Sequence, residues 1–331
     1  MKARAVRFLE ANRLDYGTIE VPAPGPEDVV VDVRYSWISP GTEGSFLRGE
    51  RTGGDTPYLP GDPSPFPRVP GYQKTGVVTW VGSEVTDMAK GDWVFASVSR
   101  VSYGVTDFGG HVSPAVTPRQ QIWKLPTDLN AINASGMVLA QVGYNCGTSA
   151  PIRVGEWAVV LGDGLVGHWS VQTLAWRGAR VLMLGHHDAR LSKLAAPGCE
   201  GVNTQREEPV EAIQRIAGNG VSVLVDTVGD VSLVEALLPM LRHGGHVVSA
   251  GFCGTEGAID IQKLRLGEIS LHCPSGWTQQ RMDDTLQLLA AGWIDAGSLV
   301  THRYPAERAA EAWQQIVSNR EETLGVILTW T

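Results

Sequence analysis

Three glycines at a fixed spacing are the clearest sign of chemistry in the chain, since residues 162–167 read G-D-G-L-V-G and match G-x-G-x-x-G. An apolar run precedes the motif at 158–161, an amphipathic segment follows it, and a second apolar run covers 181–184. This motif binds a dinucleotide when it lies in a unit of strand, tight turn, helix and strand within about 30 residues. The alternative is that it is a glycine turn in an ordinary α/β unit. The N–H groups of the first helical turn would hold the pyrophosphate. The residues predicted to contact it are Gly162, Gly164, Leu165, Val166 and Gly167.

The type of dinucleotide depends on the end of the second strand, where residues 184–190 read L-G-H-H-D-A-R. An acidic residue commonly stands there and accepts hydrogen bonds from the ribose of NAD, whereas this chain has Gly185. A small neutral residue leaves space for a 2′-phosphate, so the sequence predicts NADP(H) in preference to NAD(H). The alternative is that the two histidines are solvated loop residues and that NAD binds instead. The donors predicted for the phosphate are His186, His187, Arg190 and, after the third strand, Arg206.

Length and composition exclude several classes of protein. A chain of 331 residues predicts about two domains. Charged residues make up 19% and the net charge is −8, which disfavours nucleic acid or an anionic membrane as a partner. No apolar run reaches the roughly 18 residues of a spanning helix, and the N-terminal residues are too charged for a signal peptide. The four cysteines lie far apart, which predicts reduced thiols in a cytoplasmic protein.

The elements that must position these residues differ between the two parts of the chain. Residues 1–125 read as short strands with many turn residues, including alternating strands at 29–35 and 75–81 and a turn and strand at 91–95. Residues 46–70 are crowded with Gly, Pro and Asp, and they predict a loop beside the substrate or a disordered segment.

From about residue 131, apolar and amphipathic segments alternate, and this alternation predicts a parallel, doubly wound sheet. After the first β-α-β unit, the predicted helices cover 207–217, 233–241, 282–291 and 306–318, and the predicted strands cover 221–228, 243–251, a segment near 300, and 325–329.

Short motifs across nearly the whole chain occur in an order that resembles the medium-chain dehydrogenase/reductase family. They are I-S-P-G-T-E at 38–43, P-G-Y-Q-K-T-G-V-V at 70–78, G-D-W-V at 91–94, G-G-H at 109–111, K-L-P at 124–126, the glycine motif, V-D-T-V-G at 225–229 and G-G at 244–245. The first two motifs are similar to the bacteriochlorophyllide a dehydrogenase-like branch. The resemblance implies an α/β protein with a GroES-like, β-rich catalytic domain at 1–139 and 274–331, a Rossmann domain at 140–273, and an active site in the cleft between them.

The positions at which zinc-dependent members of the family carry ligands are changed in this chain. Pro40 stands in place of the catalytic cysteine, Tyr72 and Gln73 in place of a histidine and an acidic residue, and the third ligand position falls near residues 137–138, a Met and a Val. No cysteine precedes Cys146, so the four-cysteine structural lobe is missing as well. Zinc needs three or four nitrogen, sulfur or oxygen ligands at close range. The resemblance therefore predicts a member without zinc and without a metal site.

Without a metal, side chains must stabilise the charge that develops on the substrate oxygen. The resemblance places the phenol of Tyr72 in the space of the zinc ion and matches Thr42 to a hydroxyl that relays a proton. Lys74 would share a face with Tyr72 in an extended segment, and burial would lower its pKa enough for it to act as an acid near neutral pH. His111 falls where the family has a residue facing the cleft. The structural alternatives are that Tyr72 only fills space, that Thr42 caps a turn, and that Lys74 reaches solvent.

The resemblance also implies contacts for the substrate and for the rest of the cofactor. Aromatic walls of the cleft would suit a ring-shaped substrate, although each ring could equally be part of the core. The predicted wall residues are Trp37, Tyr103, Phe108 and Trp277, and the further cofactor residues are Thr227, Val228, Gly251 and Phe252.

Together these features predict a zinc-independent, NADP(H)-dependent oxidoreductase that interconverts a secondary alcohol and a ketone on a cyclic substrate. Two alternatives stay open: an NADPH-dependent reductase of an activated C=C bond in a quinone or enone, and a dinucleotide-binding sensor without turnover. The apolar strand at 269–272, where dimers of the family pair their sheet edges, predicts a homodimer.

Overall fold

The chain forms two structural units in the computed structural model, which describes all 331 residues. Unit 1 contains Met1–Val138 and Val300–Thr331, and unit 2 contains Leu139–Leu299. The segment 274–299, assigned to the catalytic domain from the sequence, lies with unit 2 instead. Hydrogen bonds explain this difference: Tyr144 Oη donates to Asp284 Oδ2 at 3.0 Å, and Gln172 and Asp295 exchange two bonds of 3.2 and 2.9 Å.

The strands, in chain order, are β1 (Lys2–Glu10), β2 (Arg13–Glu20), β3 (Asp28–Trp37), β4 (Arg51–Gly53), β5 (Thr56–Pro57), β6 (Lys74–Val81), β7 (Trp93–Ala96), β8 (Ser99–Tyr103), β9 (Thr106–Gly109), β10 (Val112–Ser113), β11 (Ala115–Pro118), β12 (Ile122–Lys124), β13 (Trp157–Leu161), β14 (Arg180–Gly185), β15 (Cys199–Asn203), β16 (Val221–Asp226), β17 (Leu241–Ser249), β18 (Ser270–His272), β19 (Val300–Pro305) and β20 (Gly325–Thr329). The α-helices are α1 (Pro40–Arg48), α2 (Ala131–Ala134), α3 (Met137–Thr148), α4 (Leu165–Trp176), α5 (Asp188–Leu191), α6 (Pro209–Ile216), α7 (Val231–Leu237), α8 (Ile261–Leu266), α9 (Gln279–Ala290) and α10 (Ala309–Ser318). None of these helices has the length and apolar character needed to cross a membrane.

Unit 1 is built on a twelve-stranded sheet with the order β10-β1-β2-β8-β11-β3-β6-β7-β12, to which β9, β20 and β19 are added. Strand β3 is central because it pairs with β6, β11 and β20. Its valines at 29, 30, 31 and 33 are all buried, and branched side chains of this kind pack well on a pleated surface. The β-rich, GroES-like character predicted for this unit is confirmed.

The segment 46–70 is more ordered at its start than the sequence predicted. Helix α1 carries a proline in its first turn and continues to Arg48, and it ends at Gly49, whose φ of 75° is the left-handed conformation typical of a helix end. Strands β4 and β5 then form a two-stranded hairpin. After this hairpin, residues 58–70 have no helix or strand apart from a single bridge between Phe8 and Arg68.

Unit 2 contains a six-stranded parallel sheet with the order β15-β14-β13-β16-β17-β18. Strand β13 is buried at every position, and its alternate residues belong to two separate apolar clusters. One cluster contains residues of α6 and α7, and the other contains residues of α3 and α4. Helices therefore cover both faces of the sheet, and the doubly wound Rossmann fold is confirmed.

The carboxyl ends of the central strands lie side by side. Leu161 is paired in register with Leu184 and Asp226, and Asp226 with Ser249. The loops that follow β13, β14, β16 and β17 consequently leave the sheet at one edge, where parallel sheets bind their ligands.

The helix predicted at 233–241 is shorter in the structure. Helix α7 ends at Leu237, the next residues form a 3-10 turn over Leu238–Met240, and Leu241 already begins β17. The second residue of the turn is Pro239, which has no N–H group to continue a helical ladder.

Candidate active site and dinucleotide site

The glycine motif forms a tight turn between β13 and α4. Gly162 has a φ of 105°, and a Cβ on it would lie 2.5 Å from Thr227 Oγ1. A Cβ on Gly167 would lie 2.0 Å from the carbonyl oxygen of Gly162, so only glycine allows this close approach. Helix α4 begins after Gly164, where no side chain caps the first turn, and a Cβ on Gly164 would meet nothing within 4 Å. Uncapped N–H groups beside open space fit a pyrophosphate.

Two further loops at the same sheet edge contain predicted cofactor residues. Thr227 Oγ1 donates to the carbonyl oxygen at the end of β13 at 2.7 Å. A Cβ on Gly229 would lie 2.5 Å from the Phe252 oxygen, and a Cβ on Gly251 would lie 1.9 Å from the Gly229 nitrogen, so these loops pack backbone against backbone. Val228 remains 57% exposed. The structure thus brings the predicted residues of both loops to the edge that carries the glycine turn.

The space predicted beside Gly185 is filled, which corrects the sequence analysis. A Cβ on Gly185 would lie 2.4 Å from Oδ2 of Asp163, the second residue of the glycine motif. The same oxygen accepts the backbone N–H groups of His186 at 2.7 Å and His187 at 2.8 Å. The His187 ring nitrogen Nδ1 lies 3.0 Å from both carboxylate oxygens, and Arg190 Nη1 lies 3.5 Å from Oδ1. A carboxylate therefore occupies the place assigned to a 2′-phosphate.

Asp163 remains ionised in this environment. Its side chain is 6% exposed, and burial, the largest influence, opposes ionisation. Hydrogen bonds from the His187 ring and backbone, together with the charge of Arg190, outweigh burial and lower the pKa of the carboxyl group. The fourth predicted phosphate donor, Arg206, forms an ion pair with the exposed Asp188 instead.

In unit 1 the structure brings two predicted catalytic residues together. The hydroxyl of Tyr72 interacts with the side chains of Ser39 and Thr42, both at the start of α1. Burial, followed by the negative charge of Glu43, raises the pKa of Tyr72 to about 12. The phenol is therefore a neutral hydrogen-bond donor throughout the physiological pH range. Ser39, which the sequence analysis did not single out, joins the cluster because α1 begins immediately after it.

His111 is placed differently from the prediction that it faces the substrate. Its side chain is fully buried, with Nδ1 2.8 Å from Ser36 Oγ and Nε2 2.8 Å from Glu43 Oε2. Trp330 Nε1 donates to the same Ser36 oxygen at 2.9 Å, and the Ser39 N–H donates to Glu43 Oε1 at 2.8 Å. His111 thus belongs to an internal network that fixes the start of α1 and, through Ser39, the partner of Tyr72.

Lys74 is buried, as one interpretation of the sequence required, but its ammonium group contacts the Ser97 carbonyl and not the Tyr72 cluster. It is 0% exposed, and its Nζ donates to the carbonyl oxygen of Ser97. No carboxylate lies within ion-pair distance of the ammonium group. Desolvation by burial lowers the pKa of Lys74 to about 7.

The four predicted wall aromatics have unequal exposure. Trp37 is fully buried, and a Cβ on Gly136 would lie 2.9 Å from its ring, so it belongs to the core and not to a substrate wall. Phe108 is 44% exposed, whereas Tyr103 and Trp277 are half-buried. Of the four, these last three keep surface that a ligand could contact.

The residues at the expected zinc positions do not fit a zinc ion. No group of three or more His, Cys, Asp or Glu side chains in the chain is arranged to hold a metal. Pro40 is in the first turn of α1, and the buried Gln73 amide donates to the Trp37 carbonyl oxygen at 3.4 Å. The residues at 137 and 138 are buried and apolar.

A β-rich unit and a Rossmann sheet with a glycine turn at its edge define the architecture of a nucleotide-dependent dehydrogenase. Residues 166–291 match the family described as zinc-binding dehydrogenase. The 2-desacetyl-2-hydroxyethyl bacteriochlorophyllide A dehydrogenase of Cereibacter sphaeroides is 29% identical, with 100% of this chain and 99% of that protein covered. The L-galactonate-5-dehydrogenase of Escherichia coli is 23% identical, with 93% and 94% covered. These matches agree with the resemblance to the medium-chain dehydrogenase/reductase family that the sequence motifs gave.

Solved structures share the fold at lower identity. A structure from E. coli CFT073, described as a short chain alcohol dehydrogenase complexed with NADH, has a TM-score of 0.85 at 20% identity and covers 99% of both chains. A structure from Sinorhizobium meliloti, assigned as a zinc-binding dehydrogenase and bound to NADP, has a TM-score of 0.84 at 20% identity and also covers 99% of both chains.

Proposed function

We propose that the protein is a zinc-independent oxidoreductase that uses a nicotinamide dinucleotide to interconvert a secondary alcohol and a ketone on a cyclic substrate. The observation that carries the proposal is the cluster of Tyr72, Ser39 and Thr42 hydroxyl groups at the position that the family resemblance assigns to the zinc ion. The glycine turn, with its uncapped helix start, supports a dinucleotide in unit 2. Relatives named as dehydrogenases of a bacteriochlorophyllide and of L-galactonate support alcohol chemistry.

In this proposal a nicotinamide dinucleotide held at the glycine turn would supply or take up a hydride, and side chains of the protein would stabilise the charge on the substrate oxygen. Tyr72 Oη, neutral because its pKa is about 12, donates a hydrogen bond to that oxygen as it gains charge. Ser39 and Thr42 hold the phenol in place, and the hydroxyl of Thr42 passes a proton between the substrate oxygen and solvent. His111 and Glu43 act at a distance, by fixing the backbone at Ser39.

A cyclic substrate is proposed from the aromatic residues that keep exposed surface. Tyr103 and Phe108 lie on the paired strands β8 and β9, and Phe108 is 44% exposed. An exposed ring offers a flat apolar face, which suits a conjugated ring or the C–H face of a polyol.

The direct test is an assay of purified protein with NADH and NADPH against cyclic ketones, cyclitols, quinones and enones, with and without EDTA. We expect turnover with ketones or cyclitols that EDTA does not reduce, because no group of three or more His, Cys, Asp or Glu side chains is arranged to hold a metal. Turnover only with quinones or enones would favour C=C reduction, in which the enolate oxygen needs less stabilisation. Dinucleotide binding without turnover on any substrate would favour a sensor. About one zinc per chain, with activity lost to EDTA, would refute zinc independence.

We also propose that the protein forms a homodimer through β18, the edge strand of the unit 2 sheet. Leu271 on this strand is 38% exposed and Leu266, shortly before it, is 75% exposed, so the edge offers unpaired backbone groups together with apolar surface. Light scattering at micromolar concentration is expected to give the mass of a dimer, and Leu271→Arg is expected to give a monomer. The control Leu59→Arg changes a leucine that is 48% exposed in unit 1 and should leave the mass unchanged. A monomeric wild type would overturn this assembly.

A further inference from the structure

The carboxylate of Asp163 stands where Rossmann proteins that bind NAD usually place an acidic residue of the second strand. That residue normally belongs to the strand end itself and accepts hydrogen bonds from the ribose. In this chain Gly185 ends the strand, and Asp163 reaches it from the glycine turn, so closely that a Cβ on Gly185 would lie 2.4 Å from Asp163 Oδ2. The strand end therefore carries a negative charge although its own residue is neutral.

The donors that a 2′-phosphate would need are already engaged. Arg190 and the His187 ring face the Asp163 carboxylate, and Arg206 forms an ion pair with Asp188. A 2′-phosphate carries close to two negative charges. To bind here it would have to compete for these donors with the carboxylates of Asp163 and Asp188, and both carboxylates would repel it. Of the four residues predicted as phosphate donors, His186 and Arg206 are exposed, and only His186 forms no ion pair with a carboxylate.

We propose that Asp163 determines the nucleotide preference of this protein and favours NAD(H) over NADP(H). Asp163 does so in two ways: its charge repels a 2′-phosphate, and its hydrogen bonds withdraw Arg190 and His187 from such a group. The inference rests on the dinucleotide site of the proposed function and specifies the nucleotide that this site takes.

Isothermal titration calorimetry of the full chain with NADH, NADPH, ADP and 2′,5′-ADP tests the inference without any need for turnover. We expect the wild type to bind NADH about tenfold or more tightly than NADPH, and ADP more tightly than 2′,5′-ADP, because a charge-assisted hydrogen bond corresponds to roughly one decade of affinity. Asp163→Asn removes the charge but keeps an oxygen for the two backbone N–H groups. For this variant we expect the preference for NADH over NADPH, and the preference for ADP over 2′,5′-ADP, each to fall by about tenfold.

Asp226→Asn is the matched control, because the Asp226 carboxylate accepts the N–H groups of Val228 and Gly229 in the neighbouring loop in the same manner. It should change the affinities for NADH and NADPH by the same factor. A wild type that binds NADPH as tightly as NADH, or an Asp163→Asn variant that loses NADPH affinity selectively, would overturn the inference and leave the proposed function intact. Binding of neither dinucleotide would overturn both.

Discussion

Replacement of Tyr72 by phenylalanine is expected to lower kcat for ketone reduction by a factor of roughly 100 to 1,000, the usual effect of removing one donor to a developing oxyanion. The substitution removes a single hydroxyl and keeps the ring, so the packing around α1 should be retained. Binding of the dinucleotide is expected to stay the same, because the glycine turn lies in unit 2. Steady-state kinetics together with calorimetry of the dinucleotide separate these two effects.

Tyr304→Phe is the control for this experiment, since Tyr304 is a half-buried tyrosine on β19 of the same unit. It should leave kcat within a factor of about two. Because the pKa of Tyr72 is about 12, the wild-type rate should show no ionisation of this phenol below about pH 10. A Tyr72→Phe enzyme with wild-type kcat would show that another group stabilises the oxygen.

Replacement of Lys74 by methionine is expected to stabilise the protein at pH 6 by several kcal/mol. The pKa of Lys74 falls from 10.5 to about 7 on folding, and each pKa unit corresponds to about 1.4 kcal/mol. Below pH 7 the folded protein holds a buried ammonium group that water would solvate better in the unfolded chain. Methionine has a similar length and no charge, so it removes this cost, and the loss of the hydrogen bond to the Ser97 carbonyl oxygen offsets only about 1–3 kcal/mol of the gain.

The effect of Lys74 on the free energy of unfolding depends on pH, and the sign of this dependence follows from its lowered pKa. Between pH 7 and 10.5 the unfolded chain binds a proton at Lys74 that the folded chain has lost, so this residue makes the wild type more stable as the pH rises. The advantage of Lys74→Met should therefore be largest at pH 6 and shrink towards pH 10. Guanidinium unfolding at several pH values measures it, with the exposed Lys90→Met as a control that should show no trend. A constant difference between wild type and Lys74→Met across this range would contradict the low pKa.

The parts of the fold that depend on local pattern could be predicted from the sequence. The apolar runs before and after the glycine motif became β13 and β14, and the predicted final strand has the observed bounds, Gly325–Thr329. These signals are local, because a buried parallel strand needs only a short apolar run between turns. Helix α1 was missed because its residues show no amphipathic period, and its start depends on Ser39, Glu43 and the distant His111.

The candidate site was less accessible to sequence analysis, because it depends on where side chains point. The spacing of the glycine motif does not indicate where the side chain at position 163 points, so the sequence predicted open space beside Gly185. Likewise, His111 meets Glu43 across 68 positions and Ser36 across 75, and no local pattern reports such pairs. Asp163 is the one polar residue in an otherwise apolar glycine turn, and this was the only sequence signal for its role.

The close contact between Gly185 and Asp163 makes these two positions epistatic. Any residue other than glycine at 185 would place its Cβ 2.4 Å from the Asp163 carboxylate and disturb the turn that this carboxylate holds together. The order of substitutions along an evolutionary path is therefore restricted: a smaller residue must appear at 163 before a side chain can appear at 185. Gly185→Asp alone would be harmful, whereas the same change after Asp163→Gly would restore a carboxylate to the strand end. An engineer who alters the nucleotide preference of this protein has to begin in the glycine turn.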